Sequence, residues 1–189
     1  RSALITTSSL ADGLRVVTEA LPHAPSVAVG VWAQVGARDE PEPLAGASHF
    51  LEHLLFKGTA DRTALQIAEA VDRVGGDMNA FTGRESTAFY ARVPADAAAM
   101  AVDLIVDVVT EPAFHEDDVE VERDVIIDEL AASLDTPDDR IHVALAEAVF
   151  PGHPLGREVI GSLETVTGLD RDTIADFHHR HYRSEELVV

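Results

Sequence analysis

Two histidines and a glutamate set into an otherwise apolar run constrain this chain most: Ser48-His49-Phe50-Leu51-Glu52-His53-Leu54-Leu55. His49 and His53 stand four residues apart, and Glu52 follows His49 by three. On a helix all three side chains therefore project from one face. Phe50, Leu51, Leu54 and Leu55 surround them and call for burial. A polar face on a buried helix is costly unless its groups are hydrogen-bonded, charge-paired or bound to metal. Two imidazoles one turn apart can grip one zinc ion at ~2.0–2.1 Å. A carboxylate beside them is placed to act as a general base towards water. The competing reading is a helix with one satisfied histidine and a solvated glutamate. The flanks disfavour it: residues 43–48 supply a loop and then small residues for close packing, Lys57 falls in the last turn, and Gly58 ends the helix.

A catalytic zinc needs a third protein ligand and an open position. The candidate segment is Val121 to Leu130, where apolar residues at 121, 125, 126, 127 and 130 give a helical face. Glu122 and Glu129 lie seven residues apart, on one side of that helix. Spacing alone does not choose between them.

Three segments in order, HFLEHLLFKGT from His49, GGDMNAFTGRESTAFYARVP from Gly75 and ERDVIIDEL from Glu122, resemble the pitrilysin family. That family includes insulin-degrading enzyme, the mitochondrial processing peptidase and bacterial processing proteases, and the likeness is nearest to the processing branch. The order His-x-x-Glu-His is the inverted form of the common zinc-peptidase motif. The resemblance runs from about Leu10 to the last residue. It implies a zinc-dependent endopeptidase that hydrolyses extended peptides, with one zinc ion per chain held by His49, His53 and Glu129. It also implies Glu52 as base, and Glu122 as a supporting catalytic carboxylate hydrogen-bonded to a ligand histidine. Glu129 lies 76 residues beyond His53, the separation the family uses. The runner-up is a non-catalytic partner or peptide-binding subunit of a processing-peptidase-like complex.

The resemblance further implies that Asn79, Ala80 and Phe81 form an edge strand that pairs with the peptide substrate through main-chain hydrogen bonds. Phe56, one turn beyond His53, would line a pocket for the residue after the cut. Family members that read basic residues place carboxylates near Asp138 and Asp139, but Val143 stands where another is expected, so the pair is read as charge at a helix N-terminus. Family enzymes are two related halves closing like a clamshell. The expectation is therefore a single N-terminal zinc-binding domain over residues 1–189, completed by a C-terminal half or a homologous subunit. A homo- or heterodimer stays open. The second half would supply an Arg and a Tyr that have no counterpart here.

The alternation of elements predicts α+β architecture, an antiparallel or mixed sheet packed by helices. Ala3–Thr7 and Leu14–Glu19 read as strands flanking an Asp12-Gly13 turn. Residues 27–35 read as a strand buried on nearly both faces. Helices are expected at 45–57, 63–73, 94–109, 116–134, 137–149 and 170–181, and strands at 78–82, 86–93 and 186–189. His178, His179 and His181 read as packing or surface residues. The net charge of −20 disfavours nucleic acid as a partner. The sequence has no cysteine, so a zinc site must use histidine and carboxylate. No apolar run is long enough to span a membrane. A bacterial cytoplasmic location is the expectation, with a trimmed leader left open because the chain starts at Arg1.

Overall fold

The computed structural model describes residues 4–189; Ala3, where the first predicted strand begins, lies outside the described residues. Strands β1 (Leu4–Ser9) and β2 (Arg15–Ala20) form a hairpin, turned at Gly13 with φ +92°. Strand β3 (Ser26–Ala33) follows, and then helices α1 (Ala47–Leu55) and α2 (Ala64–Arg73). Strands β4 (Asp77–Thr82) and β5 (Thr87–Pro94) make a second hairpin. The rest is helical: α3 (Ala98–Thr110), α4 (Glu116–Asp135), α5 (Pro137–Val149), α6 (Leu163–Gly168) and α7 (Arg171–His181), before the two-residue strand β6 (Leu187–Val188).

The six strands form one mixed sheet in the order β1-β2-β6-β3-β5-β4. Among the described residues only the β2–β6 pair is parallel. Register sets which residues face the helices. Val31 pairs with Phe89, Val29 with Ala91 and Val27 with Val93, while Ala80 and Met78 oppose Phe89 and Ala91 from β4. This row meets Phe50, Leu51, Leu54 and Leu55 of α1, Leu104, Ile105 and Val108 of α3, and Ile126 of α4 in one apolar core. The predicted burial of β3 on both faces is corrected: Trp32 is 43% exposed, and Ala28 and Gln34 are also exposed. The helices cover one face, and the small residues Ala28 and Gly30 on the other made the run look uniformly apolar.

Two further expectations shift. The apolar face of α4 is Val119, Ile126 and Leu130, joined by buried Glu122 and Arg123, whereas Val121 and Val125 point away from the core. Arg123 is held by the carbonyls of Val166 and Leu169, each at 2.6 Å, and lies over the Phe50 ring at 5.6 Å. Those carbonyls belong to α6 and its C-terminal cap, a six-residue helix that was not expected; its N-cap Ser162 accepts from the Thr165 amide. Helix α1 is shorter than predicted and stops at Leu55, three residues before Gly58. Among the described residues no helix is long and apolar enough to cross a membrane.

Candidate metal centre

Helix α1 runs along the helical side of the sheet, and its exposed stripe carries the polar trio. Its neighbours in sequence, Phe50, Leu51, Leu54 and Leu55, are at most 2% exposed. They fix the rotation of the helix, so that His49, Glu52 and His53 share the remaining, half-buried face. The two imidazole rings stand edge to face with centroids 4.8 Å apart. Thr82, at the end of β4, donates to the Ser48 carbonyl at 3.4 Å, which ties the edge strand to the start of α1.

Helix α4 crosses α1 and brings up both glutamates on its near side. Glu129 Oε2 lies 3.4 Å from His53 Nε2 and 3.8 Å from His49 Nε2. Among the described residues these three form the group able to hold a metal ion, with ligand atoms all within 4.8 Å of one another. Tetrahedral zinc with ligands at ~2.1 Å separates its donors by about 3.4 Å, so the spacing fits. The donor set fits as well: two imidazoles and a carboxylate suit zinc. Burial, with the neighbouring His53 second, pushes His49 down to about 4, so the ring is neutral near pH 7 with a lone pair to offer. Glu129 is 44% exposed, which leaves the fourth side of the site open to solvent.

Glu122 takes a different position from Glu129. Its side chain is 5% exposed, with Oε2 3.0 Å from His53 Nδ1 and Oε1 2.5 Å from Lys57 Nζ. The carboxylate therefore accepts from the far side of the His53 ring, and fixes Nε2 as the nitrogen that points at Glu129. The partnership with Lys57 was missed in the sequence; the signal is that the only lysine of the chain sits one turn beyond His53. Glu52 shares the trio's face and makes no ion pair among the described residues.

Around this cluster the other candidates are spread along one side. Strand β4 is an edge of the sheet, and Asn79 and Phe81 are exposed there while Ala80 turns inward at 8% exposure. Phe56 packs on Phe89 with ring centroids 6.0 Å apart. With Ile67, Ala68, Val71 and Met78 it lines a cavity of about 250 Å³ between α2 and β4. Asp138 and Asp139 are exposed in the first turn of α5, as helix-terminal charge. Val143, in contrast, lines a cleft of about 1290 Å³ between α5 and residues 40–45. His178 is packed in the core, 2.8 Å from the Val109 carbonyl and stacked on Tyr182; His179 is exposed.

The sequence profile of the insulinase family, peptidase family M16, matches residues 15–163. A Mycobacterium leprae protein named as an uncharacterized zinc protease is 50% identical over 189 residues, all of this chain and 42% of that protein. The chain thus spans less than half the length of the curated relatives it matches. A protease from Helicobacter pylori superposes with a TM-score of 0.93 at 24% identity, covering 99% of this chain and 45% of that one. Pitrilysin superposes at 0.87 with 29% identity, over 100% of this chain and 21% of its own.

Proposed function

This chain belongs to the insulinase family of peptidases, and from that premise we propose that it is the metal-binding part of a zinc-dependent endopeptidase acting on extended peptides. The observation that carries the reading is the convergence of His49, His53 and Glu129 donor atoms beside Glu52, next to an open sheet edge. His49, His53 and Glu129 would hold one zinc ion per chain. Bound zinc supplies Lewis acidity, which lowers the pKa of water towards ~7 and polarises a carbonyl.

The chain's own residues do the rest. Glu52 takes a proton from the attacking water and returns it to the leaving amine. Glu122 orients the His53 ring and fixes Nε2 as its ligating nitrogen. The β4 edge at Asn79, Ala80 and Phe81 lays the peptide alongside α1 by main-chain pairing. The cavity at Phe56 receives an apolar side chain after the cut. Because the relatives are more than twice as long, a C-terminal half or a homologous subunit completes the enclosure, and the expected compartment is the cytoplasm.

The test uses the natural full-length protein. About one zinc per chain is expected by elemental analysis. Glu52→Gln keeps that zinc while cleavage of a fluorogenic peptide drops ~10²–10⁴-fold. Cleavage at the wild-type rate in Glu52→Gln means that the base is another residue. No zinc in the wild type transfers support to a non-catalytic partner or peptide-binding subunit.

A further inference from the structure

The start of helix α1 has no cap of its own. Its N-cap is Gly46, which has no side chain to accept from the first amides. The cap's own amide and that of Ser48 are instead held from a distance. Glu40 Oε2 accepts from Gly46 N at 2.8 Å and Oε1 from Ser48 N at 2.7 Å. Glu40 is only 3% exposed. Burying a carboxylate is expensive, and the helix N-terminus offsets that cost with two charge-assisted hydrogen bonds and the positive end of its dipole.

The loop that carries Glu40 is itself fixed. Arg157 Nη2 donates to the Glu40 carbonyl at 2.7 Å and to that of Ala37 at 3.2 Å. Gly46 has φ +97°, and a Cβ there would stand 2.6 Å from the Ile160 carbonyl oxygen. A Cβ on Gly161 would stand 2.4 Å from the Ala45 oxygen. Backbones 45–46 and 160–161 are thus pressed together with no room for a side chain between them. Ser48, which donates to Glu40, immediately precedes His49.

We infer that Glu40 is a positioning residue for the metal site: by gripping the Gly46 and Ser48 amides it sets the axial position of α1 and hence the reach of His49 and His53 to Glu129. The inference rests on the zinc reading above. Helix α1 is nine residues long and brings three site residues with it. Its far end is tied to α4 through Lys57 and His53, which both bind Glu122. Glu40 fixes the near end. Zinc tolerates ligand distances of only about ±0.2 Å, so a slight slide of this short helix weakens the site.

The test is Glu40→Gln in the natural full-length protein, with Zn²⁺ affinity measured by competition against a chromophoric chelator and the visible spectrum of the Co²⁺-loaded protein recorded. Both are read well below the unfolding temperature of the metal-free variant. The amide leaves one α1 amide poorly accepted, so Zn²⁺ affinity is expected to fall about tenfold, with altered Co²⁺ bands. Asp170→Ala removes the cap of α7, where Asp170 Oδ1 accepts from Thr173 N at 2.8 Å. It is expected to lower stability and leave Zn²⁺ affinity and Co²⁺ bands unchanged. Wild-type Zn²⁺ affinity and bands in Glu40→Gln overturn the inference, whatever the stability. Glu40→Asp, which keeps the charge and shortens its reach, serves if Glu40→Gln does not fold; wild-type affinity in it is equally fatal. A wild-type protein without stoichiometric Zn²⁺ removes the zinc reading itself and the inference with it.

Discussion

Glu122→Gln tests whether the buried carboxylate behind His53 governs the proposed metal site or merely fills space. In the wild type one oxygen lies 3.0 Å from His53 Nδ1 and the other 2.5 Å from Lys57 Nζ, on a side chain only 5% exposed. The glutamine has nearly the same shape. Its oxygen can still accept from His53, but its NH₂ then faces the Lys57 ammonium, donor against donor. Turned round, it satisfies Lys57 and loses His53. Either way one charge-assisted hydrogen bond, worth about 1.5–3 kcal/mol, is lost. The negative charge behind the His53 ring is lost in both arrangements. Loss of such a partner typically weakens metal binding ~10–100-fold, or about 1.4–2.7 kcal/mol. Competition with a fluorescent zinc chelator at pH 7.5 measures this, with Glu129→Gln alongside as a variant that loses a proposed ligand outright. If Glu122→Gln binds zinc within twofold of wild type while Glu129→Gln does not, the coupling through His53 is absent and the reasoning fails.

Two further outcomes concern stability. His178 is 3% exposed, and burial pushes it down to about 4 from 6.5, so the unfolded chain binds the extra proton between those values. The neutral ring's contribution is therefore present above pH 6.5 and lost as pH falls towards 4. Denaturant unfolding at pH 7.5 and pH 5 is expected to show about 2 kcal/mol more loss in wild type than in His178→Asn, and parallel curves would contradict it. Phe50→Ala removes a ring that is 0% exposed beneath Arg123. It is expected to cost about 3–5 kcal/mol in the same assay; a loss under 1 kcal/mol would show that the α1 core refills.

The site's local half was legible because it depends on spacing. His49, Glu52 and His53 lie within one helical turn, so the 3.6-residue period alone puts them on one face. Helix α5 was legible from its ends instead, since Pro137 opens it and Pro151-Gly152 lie just past its close. What escaped depends on contacts between distant segments. Nothing in the sequence marks Arg123 for burial, because its partners are carbonyls 43 and 46 residues away. Glu40 sits in a run of acidic and proline residues that looks solvated, and only the fold brings it under α1. The choice between Glu122 and Glu129 needed the family's spacing. In three dimensions it turns on depth: one is buried behind the ring and the other stands at the open rim.

The sheet edge at β4 has a cost besides its proposed use. A strand whose outer N–H and C=O groups lack a neighbour accepts any extended backbone, including that of another copy of the same molecule. The acidic surface, at −20, works against that outcome by keeping like chains apart. The protection is electrostatic and so has a range: about 8 Å in physiological salt and ~3 Å at 1 M. Concentrated salt therefore strips away this long-range barrier to stacking these edges into insoluble ribbons.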